Sequence, residues 1–112
     1  MEILKEKISK LQLKEKYSSV FETMTKGVAD LKKGLIALDA EMHSDLEQLL
    51  LEEGSEQEDL WGFNLFADTE NDGFIEYTSF INIRPRQGNK SMEIADPKIR
   101  DSVKKLVEKF IV

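Results

Sequence analysis

Apolar residues change their spacing along this chain, and each change marks an element. Ile3 and Leu4, beside Lys5, suit a short opening strand. Leu13, Tyr17, Val20, Phe21 and Met24 then recur at intervals of three and four, which puts them on one helical stripe. Ser9 followed by Gln12 has capping-box spacing, in which hydroxyl and amide satisfy N–H groups that a helix start leaves unpaired. The spacing predicts a helix from about Lys10 to Thr25, ended by Gly27.

Residues 27–42 support two readings. Val28, Leu31, Leu35, Leu38 and Met42 fit a helix, yet Gly27 and Gly34 would each cost about 1 kcal/mol in its interior. Lys32-Lys33-Gly34 is turn chemistry between two apolar runs, so a hairpin is preferred and the helix stays as the alternative. Ser44 and Glu47 form a second capping box, and Leu46, Leu49 and Leu50 share a face before Gly54.

From Leu60 to Phe66 and from Phe74 to Pro85 the period drops to two. Trp61, Phe63 and Leu65 point one way, and Ile75, Tyr77, Ile81 and Ile83 can meet the same core across a hairpin. Pairing Leu65 with Ile75 sets Asn64 beside Glu76 on the opposite face. There Asn64, Glu76, Asn82 and Arg84 would form the floor of a polar pocket. Asp96 and Pro97 cap a last amphipathic helix carrying Ile99, Val103, Leu106, Val107 and Phe110. The class is α+β: a small, mostly antiparallel sheet of two hairpins, with about three helices packed mainly on one face.

With 112 residues and neither linker nor internal repeat, the chain reads as a single domain, 1–112. The absence of cysteine excludes disulfides, thiolate nucleophiles and cysteine metal clusters, and fits a cytoplasmic protein. The longest apolar run, Leu35 to Leu38, has four residues, far short of a membrane span. Charge changes the picture more than composition does. Residues 39–76 hold thirteen acids and no Lys or Arg, whereas the flanking segments carry +3 and +4. An acidic middle third repels phosphate backbones, which argues against nucleic-acid binding. The simplest account has basic elements folding over these acids and neutralising them.

Several runs resemble a known family: DLKKGLIALDAEMHSDLEQLLLEEGS, EDLWGFNLF, FINIRPRQGNKS and ADPKIRDSVKKLV. They are similar to short bacterial and archaeal proteins classed as a domain of unknown function, along nearly the whole chain. LWG–N and INIRP–QGN are the most specific parts. The resemblance implies a small prokaryotic cytoplasmic protein and transfers no catalytic residue or cofactor. The turn ADTENDG departs from the proline-containing turn of that family.

Three groups of residues carry candidate chemistry. Asp68 to Glu76 resembles a calcium-binding loop in which Asp68, Glu70, Asp72, the Phe74 carbonyl and Glu76 would be ligands. Asp68, Asp72 and Glu76 are its metal candidates. Ser79 stands where that pattern needs a bidentate Glu, and Asn71-Asp72-Gly73 is equally good hairpin-turn chemistry. Arg84-Pro85-Arg86-Gln87-Gly88-Asn89-Lys90 is the one concentrated basic, amide-rich loop, suited to a carboxylate or phosphate. Against that reading, Arg84 and Arg86 can pair with the acidic middle third. His43, the single histidine, could serve with Glu76 and Arg84 in a small hydrolase or isomerase, or simply pack at a helix start.

The leading expectation is a non-enzymatic binding or interaction module. It would recognise a protein partner or small anionic ligand through Arg84, Arg86, Gln87, Asn89, Lys90 and the face bearing Asn64, Glu76 and Asn82. Weak divalent-cation binding is the alternative. No cofactor is expected, and either a monomer or a dimer is compatible with the pattern.

Overall fold

A computed structural model describes residues 1–112. Strands and α-helices run β1 (Glu2–Ile3), α1 (Lys10–Lys16), β2 (Thr25–Asp30), β3 (Leu35–Leu38), α2 (His43–Glu52), β4 (Leu60–Leu65), β5 (Ile75–Glu76) and α3 (Pro97–Phe110). All strands join one antiparallel sheet in the order β1-β3-β2-β4-β5. The fold is α+β, and none of its helices is long and apolar enough to cross a membrane.

Residues 27–42 contain a hairpin, with Val28 opposite Ala37 and Asp30 opposite Leu35. Gly34, which argues against a helix there, takes the left-handed turn conformation at φ 70°. The turn is held by Asp30, only 1% exposed. One carboxylate oxygen accepts the Lys32 and Lys33 N–H groups at 2.9 Å each, and the other accepts the Ser55 hydroxyl at 2.6 Å. A buried carboxylate satisfied in this way fixes the hairpin to the segment after α2.

The first helix is shorter than its stripe. Ser9 and Gln12 form the expected capping box, but α1 stops at Lys16. The Ser18 hydroxyl donates to the Lys14 carbonyl at 2.6 Å and the Thr25 hydroxyl to the Tyr17 carbonyl at 2.7 Å, which ends the ladder and turns the chain toward β2. The second capping box does not form. Helix α2 begins two residues earlier than a Ser44 cap would place it, with Met42 in the cap position and no side-chain cap bond, and His43 enters the first turn. In α3 the Asp96 carboxylate accepts the Lys98 N–H as expected.

Both faces of the sheet are covered. Trp61, Phe63 and Leu65 of β4 share a core with Ala29, Ile36 and Leu38, closed by Leu13 of α1 and Val103 and Val107 of α3. On the reverse face Val28, Ala37 and Leu60 meet Leu46 and Leu50 of α2. Two helices thus share one face and the third takes the other, so β4 is buried along its whole length. The predicted register between β4 and β5 holds, with Leu65 opposite Ile75 and Asn64 opposite Glu76. The predicted strand from Phe74 to Pro85 does not. It ends at Glu76 and gives way to tight turns at Phe80–Asn82 and Pro85–Gln87, leaving Ile83 42% exposed.

Candidate functional site at the β4 and β5 edges

The tight turns begin where β4 needs a neighbour that β5 is too short to provide. Gly62 turns its N–H and C=O outward there, and the Asn82 carboxamide meets both. Its oxygen accepts the Gly62 N–H at 2.8 Å and its nitrogen donates to the Gly62 carbonyl at 3.0 Å. One side chain, itself fully buried, replaces one residue of a strand. Glycine is required opposite it, because a Cβ at Gly62 would stand 2.5 Å from the Ser79 Cβ.

Arg84 continues the same closure. Its Nε donates to the Ile81 carbonyl at 2.9 Å and one terminal nitrogen to the Gln57 carbonyl at 2.8 Å, while the other donates to the Leu60 carbonyl. The guanidinium stacks over Trp61, 4.5 Å from the ring centroid. Burial lowers the Arg84 pKa from its ordinary value, and the nearby charges of Glu47 and Asp59 oppose that shift. Gln87 bonds the Glu58 carbonyl at 3.0 Å. The Asn89 amide, 4% exposed, donates to the Asn82, Ser91 and Glu93 carbonyls and accepts the Ala95 N–H.

Four of the predicted ligand-binding residues, Asn82, Arg84, Gln87 and Asn89, therefore bind the chain's own backbone. Arg86 and Lys90 are exposed and form no ion pair. The expected pairing of arginines with acids is also absent. Arg84 meets carbonyls instead of carboxylates, and the one ion pair reaching the acidic middle third joins Lys14 to Asp68 at 2.7 Å.

The polar face of the sheet brings His43, Asn64 and Glu76 together. The Asn64 amide donates to the Glu76 carboxylate at 2.8 Å and to the Thr78 carbonyl at 3.2 Å. His43 places Nε2 2.9 Å from the Phe63 carbonyl, an acceptor, so Nε2 carries the proton. Burial lowers the His43 pKa below 6.5, and the Phe63 carbonyl, Asn64 and Glu76 pull it partly back while Lys26 adds to the depression. The Asn64 side-chain oxygen is buried without a partner. Arg84 lies apart from this group at the β4 edge, bonded to the chain's own carbonyls.

The calcium-like loop is a chain reversal between β4 and β5, with a short turn at Asn71–Gly73 and Asn71 at φ 58°. Strands flank it in place of helices. Asp68 is paired with Lys14, and Asp68, Asp72 and Glu76 do not converge. The carboxylates that do gather within 4.8 Å are Glu56, Glu58 and Asp59, mostly exposed on the turn whose carbonyls Arg84 and Gln87 hold.

A different arginine is free. Arg100 of α3 lies over the Tyr77 ring, 5.1 Å from its centroid, and its guanidinium enters no hydrogen bond or ion pair. It stands between two adjoining cavities of about 470 and 330 Å³, both lined by Asp72, Ile75, Tyr77 and Arg100. Lys104, one turn further along α3, lines the larger and is likewise unpaired. Tyr77 is part-buried, and burial raises its pKa from 10.0, with Arg100 opposing, so it stays a neutral platform at physiological pH. Sequence reasoning passed over this pair because Arg100 and Lys104 look like the solvated side of an amphipathic helix.

The architecture is that of a small sheet protein covered on both faces, its β4 edge sealed by side-chain amides and one arginine. Its family can be stated: the chain belongs to the family described as a protein of unknown function (DUF5674), whose model matches residues 2–110. No curated protein and no solved structure matches it.

Proposed function

We propose that this protein is a non-enzymatic binding module that holds an anionic group in the groove between β5 and α3. Arg100 and Lys104 are the receptors and Tyr77 is the platform. The observation that carries the proposal is the Arg100 guanidinium, laid on an aromatic ring between two cavities and bonded to nothing else in the chain. A planar fork held in this way suits carboxylate or phosphate oxygens. The anionic ligand expected from the sequence is retained, and its receptor moves from the Arg84 to Lys90 loop to α3.

Inorganic phosphate titrated into the labelled protein is expected to shift the amides of Tyr77, Arg100 and Lys104. Arg100→Ala should remove those shifts, while a double Arg86→Ala, Lys90→Ala variant keeps them. Shifts confined to residues 84–90, or none at millimolar phosphate, would refute the assignment.

A further inference from the structure

We infer that the outer edge of β1 is an interface for a second copy of this chain, paired antiparallel about a twofold axis at Ile3. Strands β1 and β5 end the sheet, and only the β5 side is closed. There Thr78 bridges Glu93, and the Tyr77 carbonyl accepts the Ile94 N–H at 3.0 Å. On β1, Leu4 N–H donates to the Ile36 carbonyl at 2.8 Å, which extends the pairing of Glu2 with Leu38 and Ile3 with Ala37. Residues of an antiparallel pair alternate between exchanging bonds and turning their peptide groups away. Glu2 and Leu4 therefore face β3, and Ile3 directs its N–H and C=O outward. The Lys5 N–H bonds nothing in the chain either. A bare edge of this kind is a template for another strand.

The edge is complementary to itself. An axis at Ile3 lets the two Ile3 residues exchange two hydrogen bonds and sets Met1 of each copy opposite Lys5 of the other. Neighbouring registers fail, since Leu4 already gives its N–H to β3 and an axis at Lys5 would oppose like charges. Ile3 projects to the α2 face, where it lines a shallow depression of about 700 Å³ with Met1, Leu35, Leu49 and Phe110. Residues directly opposite in a sheet project to the same face, so the two depressions adjoin across the axis as one apolar seam. Charge fits on the reverse face. The Tyr17 hydroxyl bonds the Glu2 carboxylate, which puts Lys16 at the Glu2 end of the strand, whereas Glu6 lies past the other end. Lys16 and Glu6 are exposed, unpaired and line one cavity of about 520 Å³. Antiparallel pairing joins opposite ends, so Lys16 of each copy meets Glu6 of the other.

The test is sedimentation of the full chain from micromolar to millimolar concentration, with hydrogen exchange of the Ile3 amide followed over the same range. The mass should rise from that of one chain toward that of two, and Ile3 exchange should slow as it does. Proline is tolerated at an edge position whose N–H faces outward, so Ile3→Pro should fold and weaken association at least about tenfold, through two lost hydrogen bonds. Lys16→Glu, at the surface, should weaken it about tenfold by removing two ion pairs at once, and adding Glu6→Lys should restore it. A single chain at every concentration overturns the proposal. So does a dimer that forms without slowing Ile3 exchange, one that Ile3→Pro leaves intact, or one that the double charge exchange fails to restore.

Discussion

The molecule holds two arginines over aromatic rings, and the fold gives acceptors to only one of them. Arg84 lies 4.5 Å above Trp61 and gives its donors to carbonyls of three separate segments, including the edge of β4. Arg100 lies 5.1 Å above Tyr77 with every donor free. Stacking orients the guanidinium plane in both cases; what differs is whether the fold supplies the acceptors. Where backbone carbonyls are stranded at a sheet edge, arginine completes the structure. Where the wall is a helix flank beside a cavity, the same group stays available to a ligand. An arginine-rich loop in a sequence is therefore weak evidence for binding until its acceptors have been counted.

The comparison breaks most severely at the amide beside Arg84. Asn82→Ala would strand the buried Gly62 N–H and C=O together, and we expect a loss of about 3 kcal/mol in denaturant unfolding. A loss below about 0.5 kcal/mol, the size of an ordinary surface change, would mean that Asn82 does not stand in for a strand. Arg84→Ala should cost about 2 kcal/mol, from charged donors and stacking combined. Arg84→Lys should restore little of it, since an ammonium cannot reach three carbonyls as a planar fork does. Recovery of full stability with lysine would show that charge, and not the fork, matters at this site.

A smaller effect concerns His43. Its folded pKa lies below the ordinary 6.5, so the unfolded chain takes up a proton that the folded chain refuses. The stability contributed is fully present above pH 6.5 and is lost as pH falls from 6.5 toward the folded value. Urea midpoints measured across this window should decline for the native chain and decline less for His43→Gln; parallel curves would contradict a buried neutral imidazole. The smallest effect is the one that completes the comparison. Arg100→Ala should change stability by less than about 0.5 kcal/mol, as for a surface residue, while removing phosphate-induced shifts. A large destabilisation by Arg100→Ala would make the two arginines alike and end the functional distinction.

Much of the fold was legible because local rules and burial agreed. The Ser9 box, the Asp96 cap, the hairpin at Gly34 and the Leu65 to Ile75 register all follow from short-range spacing. The errors came where side chains bond backbone in place of the pattern that spacing implies. Ser18 and Thr25 cut α1 short by bonding its last carbonyls, and His43 is drawn to the Phe63 carbonyl while no side chain caps the start of α2. The candidate site was legible in its residue types and not in its location. LWG–N and INIRP–QGN contain the amides and the arginine of a binding loop, yet each meets backbone from another segment.

By itself the sequence determined the α+β class, most elements and the two hairpin pairings, because periodicity, turn chemistry and capping are properties of neighbouring residues; the pairing of β2 with β4 was left to the tertiary structure. Tertiary structure alone decided which polar groups stayed free. A donor is available only when no acceptor lies within about 3 Å of it, and that depends on where β4 ends, how far β5 extends and which turn of α3 crosses it. Asn82 and Arg84 came to rest against unpaired backbone, and Arg100 came to rest beside open space.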